Sequence, residues 1–207
     1  MAGSWISLAG SNERDGIHTE TILRSFETSL RKGAIGEEIV RPYLEAKGYV
    51  VCRPVSEGAH AFDGLAIYQK KHCIAYDVKA KARMNKWPAT GVNESHFTTY
   101  WTFSQNHNMP FWLFFVDEIL GQIYGNELAI LEQQKRINGI DYPFLINTRT
   151  AKIRIWPLES MIKITDLTDE QKDALAACNQ RTYTAPSTTS CVIQTLNIDG
   201  GHAWKSF

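Results

Sequence analysis

Cys73-Ile74-Ala75-Tyr76-Asp77-Val78-Lys79-Ala80-Lys81 is the stretch that decides the fold. Side chains alternate across a β-strand, so Ile74, Tyr76, Val78 and Ala80 share one face, and Cys73, Ala75, Asp77, Lys79 and Lys81 share the other. The first face reads as core. The second sets a carboxylate beside two amines at the end of the strand. Residues 62–68 form the preceding strand, and Gln69, Lys70 and Lys71 between the two runs predict a hairpin. Residues 49–53 predict a strand before these.

Outward from this hairpin, the apolar spacing predicts two helices upstream. Residues 19–32 carry Ile22, Leu23, Phe26 and Leu30 on one stripe. Residues 34–47 turn Ile35, Ile39, Val40, Tyr43 and Leu44 inward. Gly33 divides them, Pro42 predicts a kink and Gly48 a C-terminal cap. Downstream, residues 82–94 read as a mostly polar loop. Ser95 caps a helix bearing Phe97, Tyr100 and Trp101. Residues 111–116 are continuously apolar, as in a strand buried on both faces, and 121–125 read as a short strand. Runs at 142–146 and 153–156 are expected to extend the sheet, and 167–178 to form a helix capped by Asp166. The order of elements indicates α/β architecture around a mixed sheet.

The chain has 207 residues, which fits one domain over 19–178, with a polar N-terminal arm at 1–18 and a C-terminal tail at 179–207. Hydrophobic residues make up 43% and charged residues 21%, a balance that excludes wholesale disorder. Lysine plus arginine and aspartate plus glutamate both count 22, so the net charge is zero and a polybasic coat is excluded. The apolar run at 110–116 is too short to span a bilayer. The N-terminus lacks the basic and apolar regions of a signal peptide, and the expected location is the cytoplasm. Cys52, Cys73, Cys178 and Cys191 form no zinc spacing, and the six histidines are scattered.

Acid-x-lysine triplets are common in proteins and recur here at Glu45-Ala46-Lys47 and Glu170-Gln171-Lys172, both on predicted helices. Asp77 differs from these because Asp63 lies in the preceding strand of the same hairpin, in the apolar context Phe62-Asp63-Gly64-Leu65. Two carboxylates about 4 Å apart repel by roughly 4 kcal/mol at an effective dielectric near 20. A divalent cation removes that penalty, and hard oxygen ligands suit magnesium or manganese. Glu37 completes the set from the helix before the sheet. In the alternative, Asp63 caps a turn and Asp77 pairs with Lys79 as a surface ion pair.

Gly33-Ala34-Ile35-Gly36-Glu37, then Asp63, then Asp77-Val78-Lys79 resembles the PD-(D/E)XK nuclease superfamily, in particular its Holliday-junction-resolvase-like and restriction-endonuclease-like branches. The resemblance covers roughly residues 33–125 and implies a restriction-endonuclease-like αβββαβ core, a mixed central sheet flanked by helices. It implies that Asp63, Asp77 and the Val78 carbonyl bind Mg2+ or Mn2+, that Lys79 is the catalytic lysine, and that Glu37 is the auxiliary acid. Phe62 stands where the motif expects proline. Glu38 is the alternative to Glu37, and the spacing to Gly48 favours Glu37.

The activity so implied is metal-dependent hydrolysis of DNA by an endonuclease. A catalytically silent nucleic-acid-binding or assembly module on the same fold, or a nuclease acting on RNA, are the alternatives. Lys70, Lys71, Lys79, Lys81, Arg83 and Lys86 form a basic cluster. Of these, Lys81 at the end of the key strand, with Arg83 and Lys86 in the loop after it, are the expected phosphate contacts. Lysines of this kind also serve simply to guard a strand edge. Trp87, Tyr100 and Trp101 can stack on bases, although such aromatics are more often core. Cutting both strands together needs two active sites, which makes a homodimer plausible.

Overall fold

The two-residue alternation at 72–81 is realised in a strand at the centre of the molecule. The computed structural model describes residues 12–54, 60–85 and 88–178, with side chains from residue 27 onward. The elements begin α1 (Asn12–Ala46), β1 (Tyr49–Cys52), β2 (Gly64–Tyr68), β3 (His72–Lys81), β4 (Ala89–Asn93), α2 (Glu94–His107), β5 (Phe111–Asp117) and β6 (Gln122–Glu127). They continue with α3 (Leu128–Leu131), β7 (Lys135–Ile137), β8 (Ile140–Tyr142), β9 (Phe144–Asn147), β10 (Lys152–Pro157), β11 (Ile162–Asp166) and α4 (Asp169–Ala176).

Six strands form the main sheet in the order β1-β2-β3-β5-β6-β11. The β3–β5 pair is parallel and the other neighbours are antiparallel. The architecture is the expected mixed α/β one, a central mixed sheet flanked by helices. The expected αβββαβ order runs through α1, β1, β2, β3, α2 and β5, with β4 interposed.

On one face of this sheet, Ile39, Val40 and Leu44 of α1 pack on Ile74, Tyr76, Val78, Trp112 and Phe114, with Leu175 of α4 in the same cluster. On the other, Phe97 and Tyr100 of α2 pack with Ala75, Phe111, Leu113 and Phe115. Every residue of β5 is therefore buried, as its unbroken apolar run requires. Full burial of such side chains stabilises by about 1.5–3 kcal/mol each.

Several expectations need correction. Gly33 does not divide two helices; α1 is continuous and starts at Asn12, inside the stretch expected as an arm. A helical glycine costs only about 1 kcal/mol, which does not by itself interrupt a helix. Leu30 is 58% exposed instead of inward. Gly48 caps the helix as expected, at φ +87°. Residues 89–93, read as loop, pair with β10, so β10 and β9 join β4 in a separate three-stranded sheet and do not extend the main one. Ser95 lies inside α2, whose N-cap is Asn93. Thr168, not Asp166, caps α4, in a reciprocal capping box with Gln171. Asp166 instead ends β11.

Candidate active site

β2 begins at Gly64, opposite Tyr76, so β3 outruns it. Among the described residues, β5 is the only strand beside β3 from Asp77 to Lys81. The opposite edge is open, and Asp63 occupies it. The Asp63 N–H donates to the Tyr76 carbonyl at 3.1 Å, and its carboxylate accepts the Val78 N–H at 2.6 Å. A strand residue's N–H and C=O project from the same edge, so the Val78 carbonyl emerges beside Asp63.

Asp77 stands on the sheet face that α2 covers. Glu37 comes from the opposite side, on α1. Its approach depends on Gly36, because a Cβ there would lie 2.8 Å from Ala80 Cβ and 3.4 Å from Val78 Cγ1. Only glycine lets the helix lie this close to β3, and the residue after it is Glu37. The three carboxylates thus reach the open edge from both faces and from the edge itself.

Asp77 is 3% exposed. Lys79 Nζ lies 2.7 Å from Asp77 Oδ2, but outside hydrogen-bonding angles, so this buried oxygen has an ion-pair partner and no well-formed hydrogen bond. Burial pushes the Asp77 carboxyl up, against the pull of Lys79 and of the Tyr100 hydroxyl. Asp63 is pushed up to about 6, first by burial and then by the charge of Asp77, with the Val78 N–H and Lys79 opposing. Glu37 is raised for the same reasons, burial first and the Asp63 charge second. Arg53 spans the rim, 2.8 Å from Glu38 Oε1 and 3.6 Å from Glu37 Oε2.

This is a set of hard oxygen donors under mutual repulsion, one of them buried without a hydrogen bond, and its chemistry fits a divalent cation. Among the described residues no three Asp, Glu, His or Cys side chains form a preassembled metal cage. The carboxylates are instead engaged by Lys79, the Val78 N–H and Arg53. The Asp77–Lys79 ion pair, one of the two alternatives for these residues, is present.

Glu37, Asp63, Asp77 and Lys79 are brought together; Lys81, at the end of β3, and Arg83 are engaged by other partners. Lys81 Nζ donates to the Gly91 carbonyl of β4, and burial and Lys79 lower its pKa to about 8. Arg83 binds Asp117, which is fully buried at the end of β5, through Nε at 2.6 Å and Nη2 at 2.5 Å. A buried carboxylate needs its counterion, so Arg83 serves the core. Lys86 and Trp87 lie outside the described residues. Tyr100 is core, stacked on Phe111 with ring centres 4.6 Å apart. Arg53 and Tyr100 were missed as site residues. Arg53 carried a signal, a lone cation ending an apolar strand, but its partners lie on a helix that sequence spacing could not place against it.

No protein-family model matches the chain, and no curated protein matches it significantly. Among solved structures it is similar to Hjc, a Holliday junction resolvase from the archaeal hyperthermophile Archaeoglobus fulgidus. The two are 14% identical, with a TM-score of 0.41 over 58% of this chain and 86% of that one.

Proposed function

We propose that the chain is a metal-dependent endonuclease acting on DNA, of the PD-(D/E)XK type. The observation that carries this reading is the convergence of Asp63, Asp77 and Glu37 on the open edge of β3, with Lys79 beside them. A fold has no structural need for three carboxylates that raise one another's pKa.

Asp63, Asp77 and the Val78 carbonyl, with Glu37, would hold Mg2+ or Mn2+, which when bound acidifies water and stabilises charge on phosphate oxygens. Lys79 is 27% exposed and reaches the rim. From there its ammonium orients the attacking water or neutralises the developing phosphorane charge. Asp77 holds Lys79 in place, and Tyr100 packs beneath both, its ring centre 5.9 Å from Lys79 Nζ. The proposal includes DNA as partner and a homodimer as the unit that cuts both strands.

Purified protein incubated with plasmid, linear and branched DNA, and RNA, in magnesium, manganese or EDTA, tests the reading. Metal-dependent cutting of DNA, lost in Asp77→Asn, is the expected result. Cutting of RNA alone would move the substrate class. Nucleic-acid binding without cutting under any metal would make the protein a silent module.

A further inference from the structure

Arg53 is the one described arginine paired with Glu37, and it is bound in an unusual way. Its side chain is 35% exposed, yet it bridges two adjacent carboxylates of α1, while Arg41 independently pairs with Glu38. Glu38 is half exposed and already has a cation, so it gives Arg53 little reason to stay. The Arg53 charge also acts on Asp63 and on Tyr76, so it lies beside the carboxylates at the edge of β3.

The local charge balance shows what else Arg53 can do. Without metal, the carboxylates of Glu37, Glu38, Asp63 and Asp77 are balanced by the cations Arg41, Arg53, Lys79 and Lys81. A divalent cation tips this balance to net positive, which favours an anionic phosphodiester backbone. The same cation competes with Arg53 for Glu37. A guanidinium displaced from a carboxylate keeps a planar fork of donors that suits phosphate oxygens equally well.

We propose that Arg53 is an exchangeable counterion, holding Glu37 in the metal-free protein and binding a backbone phosphate of the nucleic acid once a divalent cation occupies the carboxylates. This deepens the nuclease reading and rests on it. It also predicts effects of opposite sign on the two ligands. Removing Arg53 relieves competition for the carboxylates and so favours metal, while it deprives the nucleic acid of a contact.

The test uses the full chain and Arg53→Gln, with Arg53→Lys as a second variant that keeps the charge without the fork. Calorimetry with Mn2+ alone, without nucleic acid, reads the first effect. Arg53→Gln should bind Mn2+ about fivefold tighter, the effect of a unit charge on a dication about 8 Å away in water. Binding of a duplex oligonucleotide in Ca2+ across a salt series reads the second. There Arg53→Gln should weaken binding and reduce the slope of log K against log salt by about 0.9, and Arg53→Lys should restore the slope. An unchanged slope or weaker Mn2+ binding in Arg53→Gln, with the wild type binding and cutting normally, overturns the exchange and leaves the nuclease reading standing. A wild type that binds no duplex overturns both.

Discussion

Replacing Asp63 by asparagine should make the metal-free protein more stable at alkaline pH and remove the Asp63 share of the wild type's pH dependence. The amide oxygen can still accept the Val78 N–H now bound at 2.6 Å, so the substitution removes charge and keeps the hydrogen bond. The Asp63 carboxyl is pushed from 3.8 to about 6 in the folded protein. A carboxyl whose folded pKa lies above its unfolded one contributes most at acidic pH, and that contribution is lost as pH rises through the folded value. Between the two states the shift is worth about 3 kcal/mol at pH 8 and about half of that at pH 5. Those figures are ceilings, because relaxation and water at the open edge reduce them; about 2 kcal/mol at pH 8 is the expected gain. For a domain of this size that corresponds to a rise in Tm of roughly 4–8 °C.

Thermal melts in EDTA at pH 5 and pH 8 measure this directly. Saturating magnesium should add about 2.7 kcal/mol to the wild type at one hundred times its Kd, and much less to the variant. A variant no more stable than wild type at pH 8, or one whose gain is the same at both pH values, would refute the argument that Asp63 is held against charge repulsion.

Asp77→Asn should abolish cleavage while the protein stays folded, read by plasmid nicking alongside circular dichroism; metal-dependent cutting by the purified variant would exclude Asp77 as a ligand. Magnesium or manganese should support cleavage, and calcium binding without it, because its larger and looser shell positions water less well; full activity in excess EDTA would point to other chemistry. Arg83→Ala leaves the fully buried Asp117 without its counterion and should cost about 3–5 kcal/mol in denaturant melts, with the salt slope of DNA binding unchanged. Gly36→Val should push α1 away from Ala80, costing about 1–3 kcal/mol, and should weaken Mn2+ binding by displacing Glu37.

What could be read from the sequence, and what could not, follows from the range of the interactions involved. The faces of β3, the hairpin through Gln69–Lys71 and the doubly buried β5 are encoded by side-chain periods within single elements, and all were legible. β4 was not. Ala89-Thr90-Gly91-Val92-Asn93 has weak strand propensity, and its partner, β10, lies some sixty residues away in the chain. The Arg83–Asp117 pair was not legible for the same reason. Asp117 sits at the end of a strand whose parallel register with β3 no local pattern announces. The pairing of Arg53 with α1 is again a long-range contact, and it altered the reading of the site most.

These contacts also explain why the carboxylates can coexist. β3 needs a neighbour on its second edge beyond Tyr76, and the chain supplies Asp63 in place of a strand. That leaves one backbone N–H, at Val78, as the anchor of a carboxylate that burial and the charge of Asp77 push up to about 6. Asp77 has Lys79 on the same strand face, two residues on, and Glu37 has Arg53 across the gap between α1 and β1. Asp77 and Glu37 therefore each carry a separate, partly exposed cation that can be withdrawn without disturbing the core clusters on either side. The buried Asp117–Arg83 pair is the contrasting case, with both members enclosed and no route to exchange. A site meant only to hold the fold together would resemble that pair. The open edge of β3 has the other construction, with partly exposed counterions on Asp77 and Glu37, which is what the proposed metal-binding role requires.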